Sequence, residues 1–172
     1  MQSTIDDLKT RRSCRAYKSE QISVDELNLV LEAGEYAPTG MGMQSPIMVV
    51  VQDKPTIKLL SDINAEIMGV NKDPFYGAPT VVVVLADTNR PTWVEDGSLV
   101  MGNLMNAAHA IGLGSCWINR ARETFDRPEG KELLKKWGIP ETYRGVGNCI
   151  LGYPAAEAPK TKPRKENYII RV

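Results

Sequence analysis

The sequence predicts an α/β or α+β protein, and three observations carry that prediction. Helix signals alternate with short apolar runs along the chain. Two of those runs, residues 47–51 and 80–85, are rich in β-branched residues and read as buried strands. No repeat, low-complexity segment or domain linker interrupts the alternation. At 172 residues and 42% hydrophobic content, residues 1–172 suit one domain with a real core.

Each element has its own signal. Ser3 or Thr4 caps a first short helix running towards Thr10. Ser23-Val24-Asp25-Glu26 is a capping box that opens a second helix, with Leu27, Val30, Leu31 and Gly34 at helical spacing. Pro38 stops that helix near Tyr36, and Pro38-Thr39-Gly40-Met41-Gly42 reads as a loop. After the strand at 47–51, Pro55 starts a helix carrying Ile57, Leu60, Ile63 and Ile67. Residues 73–79 form a loop before the strand at 80–85. A long helix begins at Val94 or Glu95 and ends at Gly112 or Gly114. Residues 115–118 are a short strand, Arg127-Pro128-Glu129 starts another helix with Leu133, Leu134 and Trp137, and residues 146–153 are a last core strand. The tail, residues 154–172, is too basic to pack as core, and its prolines keep it extended. It reads as a C-terminal arm that wraps across the body or a partner subunit.

Composition narrows the function classes. Acidic and basic residues balance at 21 each, so a general affinity for nucleic acid or anionic membrane is not indicated. Residues 98–119 carry no Asp, Glu, Lys or Arg, a length close to a bilayer span. Asn103, Asn106, His109 and several glycines argue instead for a helix buried on all sides. The polar residues 1–8 do not read as a secretory signal. Three scattered cysteines without a CxxC pair, and one histidine, argue against zinc and for a reduced, cytoplasmic protein.

Chemistry concentrates in two basic clusters. One is Arg11-Arg12-Ser13-Cys14-Arg15; the other is Lys160, Lys162, Arg164 and Lys165. Brought together, they form a compact anion site, because guanidinium groups bind phosphate bidentately and lysine adds a point charge. Gly112-Leu113-Gly114-Ser115-Cys116 lacks the third glycine of a dinucleotide fingerprint and follows a helix, so it reads as a helix end. His109 reads as a hydrogen-bonded interior residue, and Cys14, Cys116 and Cys149 as inert thiols, although cations flank Cys14. Phosphate-type recognition without an acid, base or nucleophile points to a bound cofactor that brings its own chemistry.

Five motifs, in order, resemble the nitroreductase family of flavoproteins. Arg11-Arg12-Ser13-Cys14-Arg15-Ala16-Tyr17 resembles its RRSxRxY opening, and Ala37-Pro38-Thr39-Gly40-Met41-Gly42-Met43-Gln44-Ser45-Pro46 its APSxxNxQPW loop. Phe75-Tyr76-Gly77-Ala78-Pro79 is similar to FYxAP, and Gly112 to Ile118 to GLGxxWI. Gly152-Tyr153-Pro154 with Lys162-Pro163-Arg164 is similar to the closing GYP…RPR. The resemblance implies an α+β fold: a three-layer α-β-α sandwich around a mostly antiparallel central sheet, in an intertwined homodimer with one FMN at each of two interfaces. It implies that Arg11 and Ser13, with Lys162 and Arg164, hold the FMN phosphate and ribityl chain, and that Arg12 lies in the same shell. Arg15 would approach the pyrimidine edge. Pro38, Thr39, Gly40 and Gln44 would come from the other subunit to line the isoalloxazine. Trp117, Ile118 and Asn119 would run beside the ring, and Asn64 would contact the pyrimidine edge. Gly42 stands where the family often has Asn, Ser45-Pro46-Ile47 replaces its Pro-Trp pair, and the chain is short, which implies an open pocket.

The expected function is an FMN-dependent oxidoreductase. Hydride from NADH or NADPH would pass to flavin N5, and a small-molecule acceptor such as a nitroaromatic or quinone would then use the same site in ping-pong order. No protein side chain is expected to be catalytic and no metal is expected; the flavin carries the chemistry. The competing expectation is an FMN-binding sensor or storage module with little turnover. A third is a specialised reaction on the same fold, such as reductive dehalogenation.

Overall fold

The structure is a computed structural model and describes residues 4–172; Ser3, the alternative first cap, lies outside the described residues. Helix α1 (Thr4–Thr10) is followed by an irregular basic segment and by α2 (Val24–Glu35). The capping box that opens α2 is present: the Glu26 N–H donates to Ser23 Oγ at 3.2 Å, and the Ser23 N–H donates to the Glu26 carboxylate at 3.0 Å. A single 3-10 turn (Gly40–Gly42) interrupts the predicted loop and leads into β1 (Pro46–Val51). Asp53 caps α3 (Lys54–Met68), accepting from the Thr56 N–H at 3.0 Å. Then come β2 (Thr80–Asp87), α4 (Trp93–Ala110), β3 (Gly114–Ile118), α5 (Ala121–Asp126), α6 (Pro128–Lys136) and β4 (Tyr143–Gly152).

The four strands form one sheet in the order β1-β2-β4-β3, and every pairing is antiparallel. This bears out the α+β fold with an antiparallel sheet that the resemblance implied, and decides the choice that element order alone left open. Strand β2 lies in the interior of the sheet, and residues 81–86 have no exposed surface, so they read as a continuous hydrophobic run. Val82, Val84 and Ala86 face one side, against Val30 of α2 and Met101 and Leu104 of α4. Val81, Val83 and Leu85 face the other, against Leu60 of α3, Phe125 of α5 and Leu133 of α6. The sheet is thus the middle of three layers.

Four sequence expectations are corrected. The long helix starts at Trp93 and ends at Ala110, because the Gly112 N–H turns back to the His109 carbonyl at 3.1 Å. It is not buried on all sides: Leu99 keeps 46% of its surface in the described chain, and Ala110 is exposed. Strand β4 starts at Tyr143, three residues earlier than expected, since residues 143–145 pair with 85–87 beyond a bulge at Val84/Leu85. Helix α5 was not predicted; its N-cap, Arg120, gives no side-chain capping bond and sits at φ 72. Among the described residues, no helix is long and apolar enough to cross a membrane.

Candidate functional site

The basic N-terminal segment is placed by main-chain bonds on the outer edge of the sheet. Ser13 bridges Ser115 in parallel, and the Cys14 N–H donates to the Ser115 carbonyl at 2.9 Å. Farther along, Tyr17 bridges Pro154, the Lys18 N–H reaches the Tyr153 carbonyl, and the Ala155 N–H reaches the Ala16 carbonyl, both at 2.9 Å. The segment is therefore threaded between β3 and the start of the tail. Gly114 permits this approach, since a Cβ there would stand 2.7 Å from Cys14 Sγ. The Tyr17 hydroxyl donates to the Cys14 carbonyl at 2.9 Å, and burial pushes its phenol far above the usual range.

This threading opens a crevice of about 790 Å³. Arg12, Ser13, Cys14 and Arg15 form one wall, the turn at Gly112–Gly114 with His109 a second, and the tail from Pro154 to Pro159 a third. Arg12 spends its guanidinium on the chain itself. Its Nη1 donates to the Lys9 and Arg11 carbonyls at 2.9 and 2.6 Å, and its Nη2 donates to Thr161 Oγ1. That last bond brings the tail, one residue before Lys162, back to the first basic cluster within the same chain. Lys162 and Arg164 are exposed beside it, with Arg164 Nη2 donating 3.1 Å to the Lys162 carbonyl.

Arg11 is different. Its N–H closes the last turn of α1 on the Asp7 carbonyl at 2.9 Å, but its Nη1 is buried without a hydrogen-bond partner among the described residues. A buried, unpaired guanidinium nitrogen is costly, and charged groups in native interiors are paired or neutralised by a ligand. Its charge also acts on Cys149, opposing the burial that pushes this thiol far up. Arg11 itself does not line the crevice, but its neighbours Ser13 and exposed Arg15 do, and an anion with several oxygen acceptors suits those donors. The residues present therefore suit a cofactor phosphate.

At the far end of β3 the chain turns outward. β3 is an edge strand, and Ser115 carries its one bridge to the basic segment, so the outer main chain of Trp117 to Asn119 has no strand partner among the described residues. Trp117 is half-buried and Asn119 exposed, while the Ile118 side chain packs in the core at 7% exposure. Ile118 can thus offer a ligand only its backbone. Asn64 has no exposed surface; its Nδ2 donates 2.7 Å to the Asn119 carbonyl, and its Oδ1 has no hydrogen-bond partner among the described residues. It reaches the site as the support of that strand end.

The remaining expected residues lie elsewhere. Pro38, Thr39, Gly40 and Gln44 sit in the loop against the N-terminal end of α4, while the crevice sits at its C-terminal end. Asp96, which holds the loop, and His109, which lines the crevice, stand roughly 20 Å apart along the helix at about 1.5 Å per residue. Within one chain the loop and the crevice are separate.

Sequence reasoning missed three features. His109 lines the crevice and ties α4 to α1, its Nε2 lying 2.9 Å from Thr10 Oγ1. The Thr10 hydroxyl already donates to the Asp6 carbonyl at 2.6 Å, so the ring nitrogen is the donor. Residues 154–159 form a wall that no motif marked. Asp96, the last acidic residue before the uncharged stretch, is buried at 2% exposure; its position was the available signal.

A four-stranded antiparallel sheet between two helical layers, with a cationic crevice at its edge, defines a cofactor-binding α+β protein. Comparison with known proteins makes the class specific. The chain belongs to the nitroreductase family, whose model matches residues 8–153. A nitroreductase with bound FMN from Bacteroides fragilis is similar at TM-score 0.91 and 31% identity, over 100% of both chains. An FMN-dependent nitroreductase from Clostridium difficile superposes at TM-score 0.88 with 29% identity, over 99% of both chains. In sequence, an FMN reductase (NAD(P)H) from Bacillus subtilis is 25% identical over 186 residues, 95% of this chain and 70% of that one.

Proposed function

We propose that this member of the nitroreductase family is an FMN-dependent NAD(P)H oxidoreductase that reduces nitroaromatics, quinones or similar small acceptors. The observation that carries the reading is the crevice walled by the basic segment, with Ser13 and Arg15 on its lining and the unpaired Arg11 nitrogen in the same segment. The relatives named above, one with bound FMN and one named for NAD(P)H, support the choice of cofactor and electron donor.

Arg11 and Ser13 would take the phosphate, and the Arg12–Thr161 bond would bring Lys162 and Arg164 to the same end. Arg15 at the crevice mouth would place positive charge beside the pyrimidine edge, where it favours an anionic ring. The backbone of residues 117–119, which has no strand on its outer side, would run alongside, steadied by Asn64. Bound FMN supplies the two-electron chemistry between nicotinamide and acceptor. The chain binds, orients and shields.

The working unit in this reading is a homodimer. The loop at residues 38–44 lies too far from its own crevice to share one flavin with it. Two α4 helices packed antiparallel across a two-fold axis would set the loop of one protomer beside the crevice of its partner. Exposed Ile5, Leu8, Leu99 and Ile111 supply apolar surface for that contact. Residues 1–172 act as one domain with residues 154–172 as an arm. Three unpaired cysteines support a reducing, cytoplasmic setting.

Anaerobic titration tests the proposal. The purified protein is expected to be yellow, to bleach with NADH or NADPH, and to recover colour with a quinone or nitroaromatic under ping-pong rate behaviour. A protein that stays yellow with both nicotinamides is an FMN-binding sensor or storage module instead. A colourless protein that takes up no FMN overturns both. Sedimentation of wild type against Leu99→Glu tests the dimer: the variant is expected to run as a monomer.

A further inference from the structure

The loop at residues 38–45 holds a shape that its own sequence does not favour. Met41 and Gln44 are not glycines, yet both sit in the left-handed region, at φ 54 and φ 49. Such residues are strained and persist where surrounding structure over-determines them. Met41 is almost fully exposed, so its own packing does not hold it. Part of the restraint is local: the Gln44 N–H donates to Thr39 Oγ1 at 3.0 Å.

The rest comes from one buried carboxylate. Asp96 Oδ1 accepts the Gly40 N–H at 2.8 Å. Its Oδ2 accepts the Ser45 hydroxyl at 2.8 Å and the Thr92 hydroxyl at 3.2 Å. Three donors therefore converge on a side chain that is 2% exposed, in the first turn of α4. Two of them, at Gly40 and Ser45, bracket both strained residues. Gly40 is pressed against the helix so closely that a Cβ there would meet Thr92 Oγ1 at 2.4 Å.

We propose that Asp96 is a positioning residue whose buried carboxylate clamps the 38–45 loop in its strained shape, so that the loop is presented ready-formed to the cofactor. The proposal rests on the reading that this loop lines the flavin of the partner subunit. Asp96 touches neither cofactor nor substrate; it acts through Gly40 and Ser45. An asparagine can keep much of this geometry. Its Oδ1 still accepts the Gly40 N–H, and the Ser45 hydroxyl can turn to accept from its Nδ2. An alanine keeps none.

The test compares Asp96→Ala, Asp96→Asn and Gly40→Ala holoenzymes, reading FMN release on dilution by fluorescence and amide exchange at Gly40. In Asp96→Ala, FMN affinity is expected to fall tenfold or more and Gly40 exchange to accelerate by a similar factor. Asp96→Asn should recover most of both losses. Gly40→Ala, which pushes the loop off the helix, should weaken FMN in the same direction. If Asp96→Ala melts at a lower temperature but binds FMN unchanged, Asp96 is merely structural and the proposal is overturned. If Gly40→Ala weakens FMN and Asp96→Ala does not, the loop lines the flavin and Asp96 does not position it. If neither variant alters FMN, the loop reading itself falls, and the proposal with it. Should Asp96→Ala fail to fold, Ser45→Ala removes one loop bond and leaves the carboxylate in place; an unchanged FMN affinity there also overturns the proposal.

Discussion

The two ends of α4 handle buried charge in opposite ways. At the N-terminal end, Asp96 meets three donors from its own chain, and both of its oxygens are satisfied. At the C-terminal end, Arg11 is held just as firmly by its backbone, yet one guanidinium nitrogen has no partner. In the proposed reading the satisfied acid is a strut, and the unfilled donor is a seat for the cofactor phosphate. Removing one partner of a satisfied buried group costs the full desolvation of the group left behind. Removing an unsatisfied one relieves a cost. The same kind of substitution should therefore have opposite signs at the two ends.

The largest expected effect breaks or confirms that contrast directly. Arg11→Ala is expected to weaken FMN binding by about 1.5–3 kcal/mol, roughly 10- to 150-fold. The FMN-free variant should melt no lower than the wild type, which thermal scans in the presence and absence of FMN would read. A loss of stability without loss of affinity would make Arg11 a strut like Asp96. Next comes Gly114→Ala. Its Cβ would press on Cys14 Sγ at 2.7 Å and lift the basic segment from β3. Overpacking of this kind costs about 1–3 kcal/mol, seen as a lowered denaturation midpoint accompanied by weaker FMN binding. Arg12→Ala should be milder, about 1 kcal/mol for the lost bonds to carbonyls and to Thr161. Its sharper sign is faster tryptic cleavage after Lys160 and Arg164, because the tail is untied.

The smallest effect concerns pH. Hydrogen bonds from Tyr153 and then Ser23 hold the Glu26 carboxyl below its usual range. Glu26 therefore contributes stability that is complete above the ordinary carboxylate range and is lost as pH falls through its lowered value. Glu26→Gln should melt slightly below wild type at neutral pH, and the gap should close in acid. A gap that widens in acid would contradict this.

Much of this was legible in the residues, for identifiable reasons. Capping boxes and β-branched runs are local signals, so α2 and the core strands were placed from sequence within a few residues. Arg11 and Ser13 could be singled out as candidates because charge clusters in a neutral chain stand out. Strand direction was not legible in the residue pattern, and only the family resemblance implied it: pairing is decided by distant contacts, and a fully buried run such as residues 81–86 hides the period of two. Asp96 escaped notice because an acid in the first turn of a helix ordinarily reads as a complement to the helix dipole. Arg12 and Thr161 meet across a sequence separation of 149, and nothing in either residue announces that bond. Helix α5 lacked any capping residue to mark it.

The placement of the three cysteines has a practical consequence. Cys116 and Cys149 are buried on opposite faces of the sheet, at 3% and 0% exposure, so they can neither pair with each other nor meet a reagent in the folded protein. Cys14 alone borders the crevice. The protein thus carries its own reporter: the rate at which a thiol-specific dye labels Cys14 should fall as the crevice fills, giving an occupancy signal that requires no engineered probe.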